Sequence, residues 1–435
     1  MARSESKRKA APRHEGEPSP APDHRLARDG GPKAKTTPYG TGAKYGPEEE
    51  REVLAALRQG TLFYAFGGKT RALCSRFSEL YGLKHATATS SGTAAVHVAL
   101  GCVGVGPGDE VILTPITDMG SVIGALYQGA VPVFADVEPH TYAPDPDSIA
   151  DRITERTRAI VVVHLAGNPA KMDRILEVAR ERGVAVVEDC AQAWLAEYQG
   201  RLVVTLGAVG CFSLNEFKHI SAGDGGLVGT NDPELARLSA LWADKCYDRS
   251  VRVRDPWFLA PNYRMNELTA AVSLAQLEKA AAIVERRSAL GRRLSAGIAD
   301  LPGIAPMEEQ PGGRCSFWFY MFRVDPEALG VGRDEFVGAL KAEGVACEAG
   351  YVHDVMYKYR LFRERSAFPH SRWPFEDPRT GRAVEYPDGL CPVAEEIVDT
   401  CVWMPLNQWF TDRDVDETAA GVAKVARHFA ARVST

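Results

Sequence analysis

Thr157-Arg-Ala-Ile-Val-Val-Val-His-Leu165, a helical stretch from Met172 to Arg182, and Val184-Ala-Val-Val-Glu-Asp189 together decide the fold. A strand with one wet face alternates apolar and polar residues, whereas a strand covered on both faces is apolar along its length. Two such runs joined by a helix make a βαβ unit with parallel strands. The pattern continues on either side. Upstream, a small-residue helix over Ser91–Leu100 precedes a strand at Glu110-Val-Ile-Leu-Thr114, and a helix over Ser121–Gln128 precedes a strand at Ala130-Val-Pro-Val-Phe-Ala-Asp136. Downstream, Ala208–Ser213 and Gly226–Thr230 add two strands, and a long helix starts at Leu268 and runs to about Leu294. The expected class is α/β: a large, mostly parallel sheet covered by helices on both faces, followed by a smaller α+β C-terminal domain.

Residues 1–40 differ from this body. Residues 1–35 hold nine basic and five acidic side chains, net +4, which leaves 42 basic against 52 acidic in the remainder. Rich in proline and poor in apolar surface, residues 1–40 are expected to be a disordered basic tail. Helices are expected from Pro47, with acidic residues at its positive end, and over Thr70–Tyr81. The expected division is therefore a tail (1–40), N-terminal helices with a large domain (41–280) and a small domain (281–435). An overall charge of −6 gives no reason to expect nucleic acid or an anionic membrane as partner. Nine scattered cysteines without C-x-x-C or zinc-type spacing read as reduced thiols with no metal site. No apolar run is long enough to span a bilayer, so the expected compartment is the cytoplasm.

Three segments fall after strands, where open α/β sheets place their ligands. Ser90-Ser91-Gly92-Thr93-Ala94-Ala95 leads into a helix and offers an anion site at its N-terminus, although a plain Ser/Thr cap reads the same way. Glu188-Asp189-Cys190-Ala191-Gln192-Ala193 ends a buried strand on a carboxylate, which is costly without a cationic neighbour. Ser213-Leu-Asn-Glu-Phe-Lys218-His-Ile-Ser-Ala-Gly223-Asp-Gly225-Gly226 sets a lysine among apolar residues, and partial burial makes an amine nucleophilic. Each signal is weak alone. The order of parts is what is specific: anion loop, strand-end acid, serine five before lysine, then Gly-x-Gly-Gly.

In that order the chain resembles the DegT/DnrJ/EryC1/StrS family, sugar and cyclitol aminotransferases dependent on pyridoxal 5'-phosphate and built on the aspartate-aminotransferase fold (fold type I). The likeness covers roughly residues 46–428. It implies that Lys218 bonds to the cofactor aldehyde and then shuttles the proton. It also implies that Asp189 pairs with the pyridine nitrogen, that Gln192 lies by the ring, and that Gly92, Thr93 and Ser213 cradle the phosphate. Pro261-Asn262-Tyr263-Arg264-Met265-Asn266-Glu267-Leu268 resembles a family segment whose asparagine, here Asn262, reaches the neighbouring subunit's phosphate, which implies a homodimer with shared sites. In Thr114-Pro-Ile-Thr-Asp-Met-Gly-Ser121 the family's ring-stacking aromatic is replaced by Met119, whose thioether can pack on a ring. The histidine common on the small domain's first strand is missing. Trp318 or Tyr320 in Ser316-Phe-Trp-Phe-Tyr-Met-Phe322 is a candidate for the substrate side, with sheet packing as the plainer alternative.

The implied activity moves an amino group from L-glutamate or L-glutamine, through a pyridoxamine 5'-phosphate form, to a keto-sugar or keto-cyclitol in the biosynthesis of amino-sugar secondary metabolites. Tyr351 to Pro392 is a segment that could meet the acceptor, and its arginines a diphosphate. Three rival readings are weighed. A sugar dehydratase of the same family carries histidine in place of Lys218. A non-catalytic regulator on the same scaffold would have little use for the Asp189–Lys218 pair. A dinucleotide-binding dehydrogenase, prompted by Gly101-Cys-Val-Gly104-Val-Gly106-Pro-Gly108, fails because that cluster precedes its strand instead of following one.

Overall fold

The computed structural model describes residues 25–378 and 380–433. Seven strands form the large sheet: β1 (His85–Thr89), β2 (Glu110–Leu113), β3 (Val131–Phe134), β4 (Thr157–Val163), β5 (Ala185–Asp189), β6 (Val209–Ser213) and β7 (Gly226–Thr230). Their order is β1-β7-β6-β5-β4-β2-β3. The pairs from β3 through β6 are parallel, and β7 is antiparallel to both β6 and β1. Continuous apolar runs account for β4 and β5, which are buried along nearly their whole length. β1 carries no such run: His-Ala-Thr-Ala-Thr lies at the sheet edge and is held by its pairing with β7.

The helices that position the site are α1 (Pro47–Arg58), α2 (Lys69–Tyr81), α3 (Gly92–Cys102), α4 (Met172–Arg182), α5 (Glu267–Ile298), α6 (Arg333–Ala342) and α7 (Asp412–Val433). The expected boundary at residue 280 falls inside α5. Leu277, Ala280 and Val284 of this helix pack with Leu73 and Phe77 of α2, whereas Leu290, Leu294 and Ile298 join the core that holds the small domain. The small domain's own sheet is antiparallel, with strands β8 (Ile304–Pro306), β9 (Phe319–Val324), β10 (Glu348–Ala349) and β11 (Cys401–Pro405) in the order β8-β9-β11-β10. Among the described residues no helix is long and apolar enough to cross a membrane.

The expectation of a disordered segment over 1–40 needs correction from Arg25 onward; residues 1–24 lie outside the described residues. Residues 25–40 form a strap along the small domain. Leu26 is fully buried, the buried Glu343 carboxylate accepts the Ala27 and Ala34 N–H groups at 2.7 and 2.9 Å, and Lys35 pairs with Asp414 at 2.8 Å. Arg28 and Lys35, which read as solvated, have acidic partners on α6 and α7, Glu335 and Asp414, more than 300 residues away in sequence. Beyond the strap, Lys44 and Tyr45 bond Glu216, two residues before Lys218.

Much of Tyr351–Pro392 serves packing. Tyr357, Phe362 and Tyr386 cluster around Phe134, while Arg363 and Arg365 pair with Asp388 and Glu376.

Candidate active site

The C-terminal ends of β5 and β6 and the start of α3 meet around a cavity of about 340 Å3, whose walls include Gly92, Thr93, Asp189, Gln192, Ser213 and Lys218. Two glycines make the close approach possible. A Cβ on Gly92 would stand 2.6 Å from the Ser213 Cβ, and one on Gly226 would stand 2.2 Å from the Ser91 carbonyl oxygen. Any larger residue would push α3 away from the sheet ends. Ser91 caps α3 through its Oγ, which accepts the Ala94 N–H at 3.0 Å. The cap takes up the Ala94 N–H and leaves the neighbouring first-turn N–H groups without an acceptor within the helix, at the positive end of its dipole, where an anion fits.

Asp189 is buried, and both its oxygens are held: Ser121 Oγ donates at 2.7 Å and the Ala191 N–H at 3.0 Å. Ser121 in turn bonds Thr117 at 2.7 Å, so the carboxylate is fixed by a hydroxyl pair from the turn after β2. The sequence hid this support, because two hydroxyls in a loop signal nothing until the loop closes on the strand end. Gln192 accepts the Ala166 N–H at 2.8 Å and donates to the Tyr351 hydroxyl at 3.2 Å.

Burial lowers the pKa of Lys218 to about 8, against the opposing pull of Asp189 and Asp118. Its Nζ stands 3.6 Å from the centre of the Trp318 ring. Trp318 Nε1 donates to the Phe217 carbonyl at 2.6 Å, and His219 Nε2 donates to the Ser316 carbonyl at 2.9 Å. The small-domain segment Ser316–Trp318 thus holds the residues on both sides of the lysine, Phe217 by its carbonyl and His219 by its side chain. Burial, reinforced by the charge of Arg287, depresses the pKa of His219 and keeps it neutral.

Met119 does not line the cavity; Asp118, Gly120 and Ser121 do. It begins a single helical turn capped by Asp118 and packs against the main core. The aromatic face at the lysine is that of Trp318. Tyr320, the other candidate, is fully buried with its hydroxyl on Ser295. Asn262 is exposed and lies outside its own chain's cavity. Its neighbours serve the frame. Tyr263 shares a hydrogen bond with His97, Arg264 pairs with Asp244, Asn266 caps α5, and the buried Glu267 carboxylate caps α2 through the Lys69 and Thr70 N–H groups.

One cluster resembles metal ligands: His164, Glu188 and Cys190, all buried. Its donors are already committed. His164 Nδ1 accepts the Ala170 N–H, so Nε2 carries the proton and donates to Glu188, which also accepts three backbone N–H groups. The cluster reads as structural.

A second cavity, of about 620 Å3, shares Asp118, Asn215, Phe217 and Lys218 with the first and extends between Trp318, Tyr351, Trp403 and Trp409. Tyr351 belongs to the segment expected near the acceptor, whereas Trp403 and Trp409 had no local sequence signal.

The profile of the DegT/DnrJ/EryC1/StrS aminotransferase family matches residues 44–423. A protein of Micromonospora echinospora, named for L-glutamine:3-amino-2,3-dideoxy-scyllo-inosose aminotransferase activity, is 33% identical over 414 residues, covering 92% of this chain and 97% of its own. One of the same name from Streptoalloteichus tenebrarius is 34% identical, covering 93% and 98%. The crystal structure of 3-amino-5-hydroxybenzoic acid synthase superposes with a TM-score of 0.80 at 28% identity, covering 91% of this chain and all of that one.

Proposed function

The chain belongs to the DegT/DnrJ/EryC1/StrS aminotransferase family, and from that premise we infer that it uses pyridoxal phosphate to move the amino group of L-glutamine or L-glutamate to the ketone of a cyclitol or sugar. The observation that carries this reading is the single cavity that brings a buried carboxylate, a buried lysine of lowered pKa and a helix start together. These residues fit the cofactor. Its phosphate matches the N–H groups of the first turn of α3 with the Thr93 and Ser213 hydroxyls, in the cradle that a Cβ on Gly92 would fill. Its pyridine nitrogen matches the fixed carboxylate of Asp189, and its aldehyde matches Lys218. When bound, it supplies an aldehyde that takes up amines and a protonated ring that withdraws electrons from the breaking bond.

The chain's own residues do the rest. Asp189, with both oxygens held, fixes its carboxyl group where a ring N–H needs an acceptor. Lys218 is basic near neutral pH and takes the proton from the donor's α-carbon, then returns it one position away. The donor leaves as its 2-oxo acid at the end of the first half, and in the second half the same amine works in reverse on the acceptor. The aromatic walls of the larger cavity suit the apolar face of a polyhydroxylated ring. Arg363 and Arg365, which a diphosphate could have used, are engaged with acids. That pairing and the names of the two relatives support a free keto-cyclitol over a nucleotide-linked sugar.

A homodimer with shared sites is part of the proposal. Phe66, Val253, Trp257 and Leu259 are all more than half exposed. Exposed apolar side chains of this size call for a cover, and Asn262 stands exposed in the same stretch as three of them. The test of function is a half-reaction screen. L-glutamine or L-glutamate should shift the cofactor's absorption, and a keto-cyclitol should restore it. A chain that binds no pyridoxal phosphate, or one whose spectrum no amino acid changes, overturns the reading.

A further inference from the structure

On α5, Arg286 and Arg293 are half-exposed and each pairs with an acid of α7, Asp412 and Asp416. Arg287 between them is buried, 6% exposed, and none of its hydrogen bonds reaches a carboxylate among the described residues. Its Nε and Nη2 donate to Gln408 Oε1 at 3.1 and 3.0 Å, and its Nη1 donates to the Trp318 carbonyl at 3.0 Å. A guanidinium does not shed its proton at neutral pH, and a buried cation without an anion is costly. The place where that cost can be relieved is the cavity of about 620 Å3 that Arg287 and Gln408 line together with Lys218.

We propose that Arg287 and the side-chain amide of Gln408 form the subsite for the carboxylate of the amino donor. This rests on the transaminase reading above. Three of the five guanidinium N–H groups are engaged, which leaves two for a ligand. Gln408 spends its carbonyl oxygen on Arg287, so its amide nitrogen is the group left to donate. A planar set of N–H donors around one positive charge matches a carboxylate, and of the two substrates only the amino acid carries one. The subsite thereby distinguishes donor from acceptor within one cavity. The Trp318 carbonyl links it to the ring that faces Lys218.

The holoenzyme is titrated with glutarate, which carries carboxylates and no amine to react, following tryptophan fluorescence. The expected result is binding that weakens about tenfold or more in Arg287→Gln, with a similar rise in KM for L-glutamine and a change of less than about threefold in KM for the keto acceptor. Arg287→Lys should recover part of the loss. Glutarate affinity and donor KM within about twofold of the parent in a folded Arg287→Gln protein overturn the proposal. If that variant does not fold, the unaltered enzyme still decides: glutarate must bind more tightly than glutaramide, its uncharged diamide, and equal affinity overturns the subsite. Failure of the unaltered enzyme to take an amine from any amino acid counts against the transaminase reading instead, and the glutarate titration judges the subsite independently.

Discussion

Lys218 is an amine whose burial disfavours its charge, and the direction of that effect is testable without any turnover. With the cofactor removed, the rate at which an amine-selective acylating reagent labels Lys218, followed by peptide mass spectrometry, should rise with pH and level off above about 8. The sign follows from the chemistry: only the neutral amine attacks, and burial makes it neutral at a lower pH than a solvated lysine. A rate still rising through pH 10 would mean that water reaches the ammonium. At this scale the sequence was informative where chemistry needs one residue type. Lys218, Asp189, Gln192, Ser213, Gly92 and Thr93 share a cavity. It misled at Met119, because the turn after β2 is irregular, and a shift of one residue there turns Asp118 toward the cavity and Met119 toward the core. Trp318 was one of two candidates that residue type could not separate; the fold sets the Trp318 ring against the lysine and buries Tyr320 with its hydroxyl on Ser295.

Among the elements, the strap over residues 25–40 was illegible for a physical reason. Prolines and basic residues do look solvated when their partners, Glu343 and Asp414, lie more than 300 positions away. β1 was missed on similar grounds, since an Ala/Thr segment becomes a strand only when β7 offers it an edge. The apolar runs of β4 and β5 were legible because burial on both faces leaves few other compositions. Lys35 and Asp414 are both buried, with the Lys35 ammonium also 4.0 Å from the Tyr39 ring. Lys35→Met should therefore leave Asp414 uncompensated and cost about 3 kcal/mol, read as a lower urea midpoint. A midpoint equal to the parent's would mean that the strap contributes nothing. The pH dependence has a fixed sign. Hydrogen bonds from Lys35 and Thr411 outweigh burial and bring the Asp414 carboxyl down to about 2. Its contribution is complete above the unfolded value near 4 and is lost as pH falls from there toward 2. Lys35→Met should accordingly flatten the stability curve of the parent across that interval.

For the molecule as a whole, Asn262 decides whether one chain makes one site. It stands in a motif whose other members have tasks within their own chain: Tyr263 on His97, Arg264 on Asp244, Asn266 and Glu267 as helix caps. Asn262 is left exposed in the stretch that also exposes Val253, Trp257 and Leu259, outside the cavity of its own chain. If a second copy covers that stretch through a two-fold axis, each chain lends its Asn262 to the other's cavity. An inactive protein and an impaired one then complement one another. Lys218→Ala abolishes the site in its own chain, whereas Asn262→Ala weakens the site of its neighbour. In a mixed dimer both defects fall on one site, the cavity of the Lys218→Ala chain, and the other site is intact. Equal mixtures, unfolded and refolded together, should recover about a quarter of parental activity, since half the dimers are mixed and each has one good site. If Asn262 acts within its own chain, each site of a mixed dimer carries one defect and no recovery is seen. Sedimentation of each variant alone checks that both still dimerise, so that a missing recovery reports on the route of Asn262 and not on lost assembly.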